Sequence, residues 1–131
     1  MSLQQMPVDR PRTVRVLIVE DEPMIALGIE DVLIDAGFEI AGVAGKLDKA
    51  LALIECGACD AAIVDANLAG VSAGPVADAL VTSSLPFIVT SGYAQEQMHS
   101  QFSGAPFLQK PCRPELLIQT LKALVQNRLD D

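Results

Sequence analysis

Four apolar runs in this chain each end in a side chain that can do chemistry. Val14–Val19 runs into Glu20 and Asp21, Ala61–Val64 into Asp65, Pro86–Val89 into Thr90, and Ala105–Gln109 into Lys110. Brought together, they give three carboxylates, one hydroxyl and one ammonium. Three adjacent carboxylates do not all stay ionised without a cation, and a hard divalent ion with oxygen ligands is the natural partner. Mg2+ is the expected ion, since it takes a few carboxylate oxygens, keeps waters, and leaves positions for phosphate oxygens. Lys110 then pairs with a phosphoryl group, and Thr90 donates a hydrogen bond to it. Phosphoryl transfer asks a protein mainly for positioning and charge neutralisation, so an aspartate beside a metal and a lysine can serve as nucleophile.

Hydrophobic periodicity predicts the elements that must position these groups. Val14–Val19 is rich in β-branched residues; Ile25, Ile29, Val32, Leu33 and Ala36 then share one helical face, which Gly37 stops. Phe38–Val43 reads as a second strand, broken by Glu39 and Gly42 as a sheet edge allows. Leu47, Ala50, Leu51 and Ile54 mark a second helix ended by Gly57, and Ala61–Val64 a third strand. A loop with Gly70 and Gly74 leads to a helix around Pro75–Ser83, then to a fourth strand at Pro86–Thr90. Ala94–Gln101 is a weaker, glutamine-rich helix, Ala105–Gln109 the fifth strand, and Pro114 opens a last helix with Leu117, Leu121, Leu124 and Val125 inward. Five βα units predict a doubly wound α/β fold with a five-stranded parallel sheet, flavodoxin-like in its order 2-1-3-4-5. In such a sheet the carboxyl ends of the strands form one crevice where the strand order reverses, and that is where the chemistry-bearing residues fall.

With 131 residues, half of them apolar, the chain can bury one core but not two of ordinary size. No apolar run approaches the ~20 residues that span a bilayer. Met1–Arg12 lacks the apolar centre of a signal peptide and, with Pro7, Pro11 and its charges, reads as a disordered lead-in over 1–12 before a domain at 13–129. A cytoplasmic location without membrane contact is expected, and no effector domain is visible after Leu129, with a full-length chain and a piece excised from a larger protein both open. The formal charge of −8 repels a phosphate backbone, and no Lys/Arg cluster offsets it, so direct nucleic-acid binding is not expected. Cys56 and Cys59 have redox or metal spacing, but they fall at a helix end with no second ligand pair; the plain reading is two reduced thiols around Gly57.

Together these residues resemble the receiver domains of two-component response regulators. The resemblance rests on Leu-Ile-Val-Glu-Asp-Glu-Pro at 17–23, Ile-Val-Asp-Ala-Asn-Leu at 63–68, Ile-Val-Thr-Ser-Gly-Tyr at 88–93 and Phe-Leu-Gln-Lys-Pro at 107–111, and it covers about Thr13 to Leu129. It implies that Glu20 and Asp21 are the acidic pair, Asp65 the phosphoacceptor, and Asn67 a metal ligand through its backbone carbonyl. It makes Thr90 the switch hydroxyl, Lys110 the phosphoryl-binding lysine, and Lys110–Pro111 a cis peptide, which proline permits. Glu20 departs from the commoner Asp and reaches the metal through water in this reading. Phe107 stands where an aromatic residue, often Tyr, swings inward on activation. Pro-Phe-Ile-Val-Thr-Ser-Gly-Tyr at 86–93 also resembles a stand-alone subgroup with a Phe-Ala-Thr-Gly-Tyr-like signature and a poorly formed fourth helix. The implied partners are a sensor histidine kinase or a histidine phosphotransfer domain as donor. A downstream protein, or a second copy, would dock on the face of the fourth helix, fifth strand and fifth helix. The only reaction implied is the domain's own phosphorylation and dephosphorylation.

Other readings stay open at this level. A flavodoxin-like cofactor binder shares the fold, but its first loop should offer Ser, Thr and Gly amides, whereas Glu20-Asp21-Glu22 repels a phosphate. An aspartyl-phosphate hydrolase should carry a second Asp two residues after its nucleophile on the first strand, where Asp21 is followed by Pro23. A phosphorylation-independent docking receiver is a third. Singly, Asp65 could cap a loop and Lys110 could be a solvated surface residue. His99 reads as an exposed residue of the fourth helix, Tyr93 and Phe102 as cover for the last strands, and Met24 as packing beside the acidic loop.

Overall fold

The computed structural model describes residues 13–92, 102 and 104–130. The expected lead-in at 1–12, the weak helix at 94–101, and with it Tyr93 and His99, lie outside the described residues. Along the chain run β1 (Arg15–Val19), α1 (Pro23–Asp35), β2 (Glu39–Ala44), α2 (Leu47–Glu55), β3 (Ala61–Asp65), β4 (Asn67–Leu68), β5 (Val71–Ser72), α3 (Gly74–Thr82), β6 (Phe87–Ser91), β7 (Phe107–Gln109) and α4 (Pro114–Asp130). Five strands form one parallel sheet in the order β2-β1-β3-β6-β7. With the hairpin β4–β5 set aside, this is the 2-1-3-4-5 order that the alternation of elements predicts.

The sheet is covered on both faces, which is why its central strands are continuously apolar. Successive side chains of β1 alternate between two cores, as a period of two requires: Val16 and Ile18 join one, Leu17 and Val19 the other. Leu33 of α1 and Leu121 of α4 close the first core; Ile54 of α2 and Leu80 of α3 close the second. Truncating a residue such as Leu33 to Ala costs about 2–5 kcal/mol, because it removes transfer energy and leaves a cavity. Prolines begin α1 and α3 within their first two positions, where a missing N–H costs nothing. The chain leaves α1 through Gly37 at φ 95°, and the Phe38 amide returns to the Leu33 carbonyl at 3.0 Å.

Three details differ from the sequence reading. The hairpin β4–β5, with Asn67 opposite Ser72 and Leu68 opposite Val71, is too short for any periodicity to announce. The fifth sheet strand begins at Phe107 and not at Ala105, because Gly104 at φ 92° turns the chain and the Ala105 amide binds the Phe102 carbonyl at 3.3 Å. Met24, read as packing, is 78% exposed on the outer side of α1. Phe102 is buried in the α2/α3 core, as cover for the last strands should be.

Candidate functional site

Strand register builds the site. Val19 pairs with Val64 and Asp65 with Thr90, so Glu20, one residue past Val19, leaves β1 level with Asp65. Thr90 pairs in turn with Leu108, two residues before Lys110. Glu20, Asp21 and Asp65 each present a carboxylate oxygen, and these oxygens lie within 4.8 Å of one another.

Lys110 joins this group from the last strand end. Its Nζ donates to Asp65 Oδ2 at 2.9 Å and to Glu20 Oε1 at 3.0 Å. Its backbone amide donates to the Ser91 carbonyl at 2.7 Å, and the peptide that follows it, Lys110–Pro111, is cis. The second oxygen of Glu20, Oε2, accepts the Glu22 amide at 3.1 Å, so this longer carboxylate folds back onto its own loop. Asp65 Oδ1 accepts the Asn67 amide at 3.2 Å. The Asn67 side chain accepts the Gly70 amide at 2.7 Å, closing a turn through Ala69 at φ 52° and Gly70 at φ 90°. Asn67 is thereby held beside the acidic group by both its amide and its side chain.

The electrostatics follow from burial and from this pairing. Burial pushes the Glu20 carboxyl above the usual range, while Lys110 and the Glu22 amide pull it down and the nearby Asp65 charge adds to the push. Burial also opposes the Lys110 charge, but Asp65 and Glu20 outweigh it and hold the ammonium above the ordinary lysine value. Lys110 therefore stays charged. One ammonium facing three carboxylates leaves the group negative, and its oxygen-only donors suit a hard divalent cation.

Thr90 is 2% exposed, and its Oγ1 has no hydrogen-bond partner among the described residues. Phe107, opposite Val89 in the sheet, is half-buried and packs against the α2/α3 core. All the site residues read from the sequence except Phe107 thus converge on the ends of β1, β3, β6 and β7; Phe107 sits one register step further back.

Two neighbours of the site were not singled out by sequence reasoning. A Cβ at Gly45 would lie 3.4 Å from Asp21 Cα and 3.5 Å from the Glu20 carbonyl, so the loop after β2 closes on the acidic loop at a residue without a side chain. A glycine directly after the strand next to β1 was the available signal. The other is the Glu22 amide, a backbone group that residue types do not advertise. Among the described residues, the acidic trio is the one His/Cys/Asp/Glu group with metal-holding spacing. Cys56 is exposed, Cys59 buried and Cys112 between the two, and all three thiols are free.

The family model of the response regulator receiver domain matches residues 16–122. The chain belongs to this family. Among solved structures, the receiver is similar to SdrG from Sphingomonas melonis Fr1, at 38% identity and TM-score 0.77 over 88% of this chain and 99% of that one. It is also similar to the response regulator PhyR from Brucella abortus, at 28% identity and TM-score 0.77, over 92% of this chain and 51% of that longer one. The signal receiver domain of a modulated diguanylate cyclase from Desulfovibrio desulfuricans G20 shares the fold at TM-score 0.81 and 22% identity, over 92% of this chain and 100% of that one. Comparison with curated proteins gives no significant match. Receiver domains are signalling modules of two-component systems. Among the described residues, no helix is long and apolar enough to cross a membrane.

Proposed function

We propose that this receiver accepts a phosphoryl group on Asp65 from the phosphohistidine of a sensor histidine kinase or histidine phosphotransfer domain, in the cytoplasm and with Mg2+ as cofactor. The observation that carries this reading is the buried Thr90 hydroxyl, level with Asp65 in the sheet and without a partner among the described residues. A buried donor left unpaired is costly, and a phosphoryl oxygen on Asp65 is the acceptor it lacks.

In the transfer, an Asp65 carboxylate oxygen bonds to phosphorus, the P–N bond breaks, and its electron pair stays on the donor imidazole. Asp21, Asp65, the Asn67 carbonyl and Glu20 are the residues to hold Mg2+, which when bound neutralises the charge of the arriving group. Lys110, already 2.9 Å from Asp65, pairs with a phosphoryl oxygen. Glu20 keeps the lysine aimed at that point through its 3.0 Å contact. The exposed Met24 and Leu27, on α1 just past the acidic loop, offer the donor an apolar foothold beside the crevice. After transfer, Thr90 turns to the phosphoryl group and Phe107 follows. The surface of β7, α4 and the segment before β7 then changes shape for a downstream protein or a second copy.

Incubation with acetyl phosphate and MgCl2, followed by peptide mass spectrometry, tests the reading. A hydroxylamine-sensitive phosphate on Asp65, lost with EDTA and in Asp65→Asn, is expected. A hydroxylamine-resistant phosphate on Ser or Thr overturns it.

A further inference from the structure

The start of α1 lacks the bonds that helices ordinarily use there. Its N-cap residue, Glu22, makes no side-chain cap bond, and no acidic residue stands in the first turn. In a capping box the side chain three residues past the N-cap returns to the N-cap amide, but here that residue is Ile25, which has no acceptor. Pro23, the first helical residue, brings no amide that needs a partner. The Glu22 amide is nonetheless bonded, at 3.1 Å, to Glu20 Oε2. A residue outside the helix thus takes over the task of the third helical residue, and its negative charge lies at the favourable end of the helix dipole.

The other oxygen of the same carboxylate accepts Lys110 Nζ at 3.0 Å, and that ammonium reaches Asp65 Oδ2 at 2.9 Å. The backbones at both ends of this chain of contacts are fixed. The Glu20 amide donates to the Ala44 carbonyl at 2.9 Å, and the Lys110 amide to the Ser91 carbonyl at 2.7 Å. Only the side chains are left to adjust. The Glu20 side chain is almost out of water, so neither of its partners is readily replaced by solvent. Both bonds are charge-assisted and share one rigid carboxylate plane, so a shift of either partner turns the acceptor of the other.

We propose that Glu20 is a positioning residue that couples the first turn of α1 to the aim of Lys110 at Asp65. Anchored on the N-cap amide of the helix, its carboxylate sets where the ammonium sits, and a disturbance at either end reaches the other. Met24 and Leu27, exposed at this end of α1, are where the function proposed above seats the phosphodonor. On that reading, a donor that presses on the turn also adjusts the lysine that receives its phosphoryl group. The coupling itself does not depend on that reading.

The test is NMR of the full metal-free chain, following solvent exchange of the Glu22 amide and the Cε and Nζ resonances of Lys110, with the amide shifts of β3 and α2 reporting an intact fold. Glu20→Asp is one methylene shorter. It keeps the local bond to the amide two residues on but not the reach to Lys110, so the Glu22 amide should stay protected while the Lys110 resonances move. Lys110→Met lets the buried carboxylates repel one another, and should speed Glu22 exchange by about threefold or more. Pro23→Gly loosens the turn from outside the crevice, and should move the Lys110 resonances. In Glu20→Ala, adding Glu22→Ser supplies a side-chain cap and should restore stability without restoring the Lys110 resonances, which a purely structural role of Glu20 does not predict. Glu22 exchange unchanged in Lys110→Met, or Lys110 resonances unchanged in Glu20→Asp or Pro23→Gly, or restored by Glu22→Ser, each overturns the coupling. With MgCl2 and acetyl phosphate, Pro23→Gly should phosphorylate Asp65 about threefold more slowly than the wild type. Equal rates despite moved Lys110 resonances sustain the coupling and overturn its link to transfer, whereas a wild type that is never phosphorylated overturns the function proposed above and leaves the metal-free spectra to decide the coupling.

Discussion

Glu20 and Lys110 form an ion pair across 90 residues of sequence, with Oε1 and Nζ 3.0 Å apart and the Glu20 side chain only 1% exposed. The same ammonium also holds Asp65, so one cation serves two carboxylates that are almost out of water. Removing it leaves both uncompensated, which costs more than the pair gains. We expect Lys110→Met to lower metal-free stability by about 1–3 kcal/mol, a range below that of a fully buried pair because Lys110 is partly exposed. Urea unfolding with and without MgCl2 checks this. The metal should recover more stability in the variant than in the wild type, and equal recovery contradicts the shared role of lysine and metal.

Among the described residues, Asp21 is the member of the trio whose carboxylate makes no hydrogen bond or ion pair; both oxygens of Glu20 are engaged, and so are both of Asp65. An uncommitted carboxylate gives its full charge to a metal. Asp21→Asn should weaken Mg2+ about tenfold or more, the equivalent of about 1.4 kcal/mol, and Glu20→Gln by less. Calorimetry is the suitable measurement, since the chain has no Trp to report quenching. The reverse ranking would make Glu20 the principal ligand.

The sheet and the crevice are legible in the sequence because each central strand is a continuous apolar run with its functional residue directly after it. Period and position alone put Glu20, Asp65, Thr90 and Lys110 at neighbouring strand ends. What residue types do not encode is how the groups are committed to one another. Glu at position 20 reads as a distant metal ligand, but its extra methylene lets it turn back to the Glu22 amide while holding Lys110. Nor does a threonine at a strand end reveal that its hydroxyl lacks a partner. The β4–β5 hairpin is fixed by one side-chain bond, Asn67 to the Gly70 amide, and by two residues at positive φ, neither of which leaves a periodic trace.

Thiol burial sets an alkaline limit. Burial pushes both Cys59 and Cys112 above the ordinary thiol value of 9.0, with Lys110 pulling Cys112 the other way. The unfolded chain therefore loses these protons first as pH rises. Their stabilising contribution is complete below pH 9.0 and disappears as pH climbs through the folded-state values. Each thiol contributes a slope of at most about 1.4 kcal/mol per pH unit in that window. Lys110, also raised, acts in the same direction from its ordinary 10.5 upward. Urea unfolding from about pH 8 to about pH 10 should show the decline, flattened in Cys59→Ala. A native-state thiol reagent should modify the exposed Cys56 well before Cys59.

The switch is the most demanding expectation. Thr90 and Phe107 lie on adjacent strands, with Phe107 paired to Val89, one register step behind Thr90. If a phosphoryl group draws the Thr90 hydroxyl toward Asp65, the end of β6 shifts with it, and β7, its hydrogen-bonded neighbour, carries the change to the Phe107 ring on the α2/α3 side. Complete burial of a Phe side chain contributes about 1.5–3 kcal/mol. Because Phe107 is already half-buried against the α2/α3 core, only part of that remains to be gained, enough for a severalfold bias and not for an all-or-none change. Phe107 also has no hydroxyl bond to give up on moving inward, so the unphosphorylated receiver should sample the inward state more than a Phe107→Tyr variant does. Adding beryllofluoride and Mg2+ should therefore shift amides from β6 through Lys110 in the wild type, with a smaller change at Phe107 than in Phe107→Tyr. Thr90→Ala should confine the shifts to the acidic loops. Shifts that reach Phe107 equally in Thr90→Ala would show that the threonine does not transmit the signal.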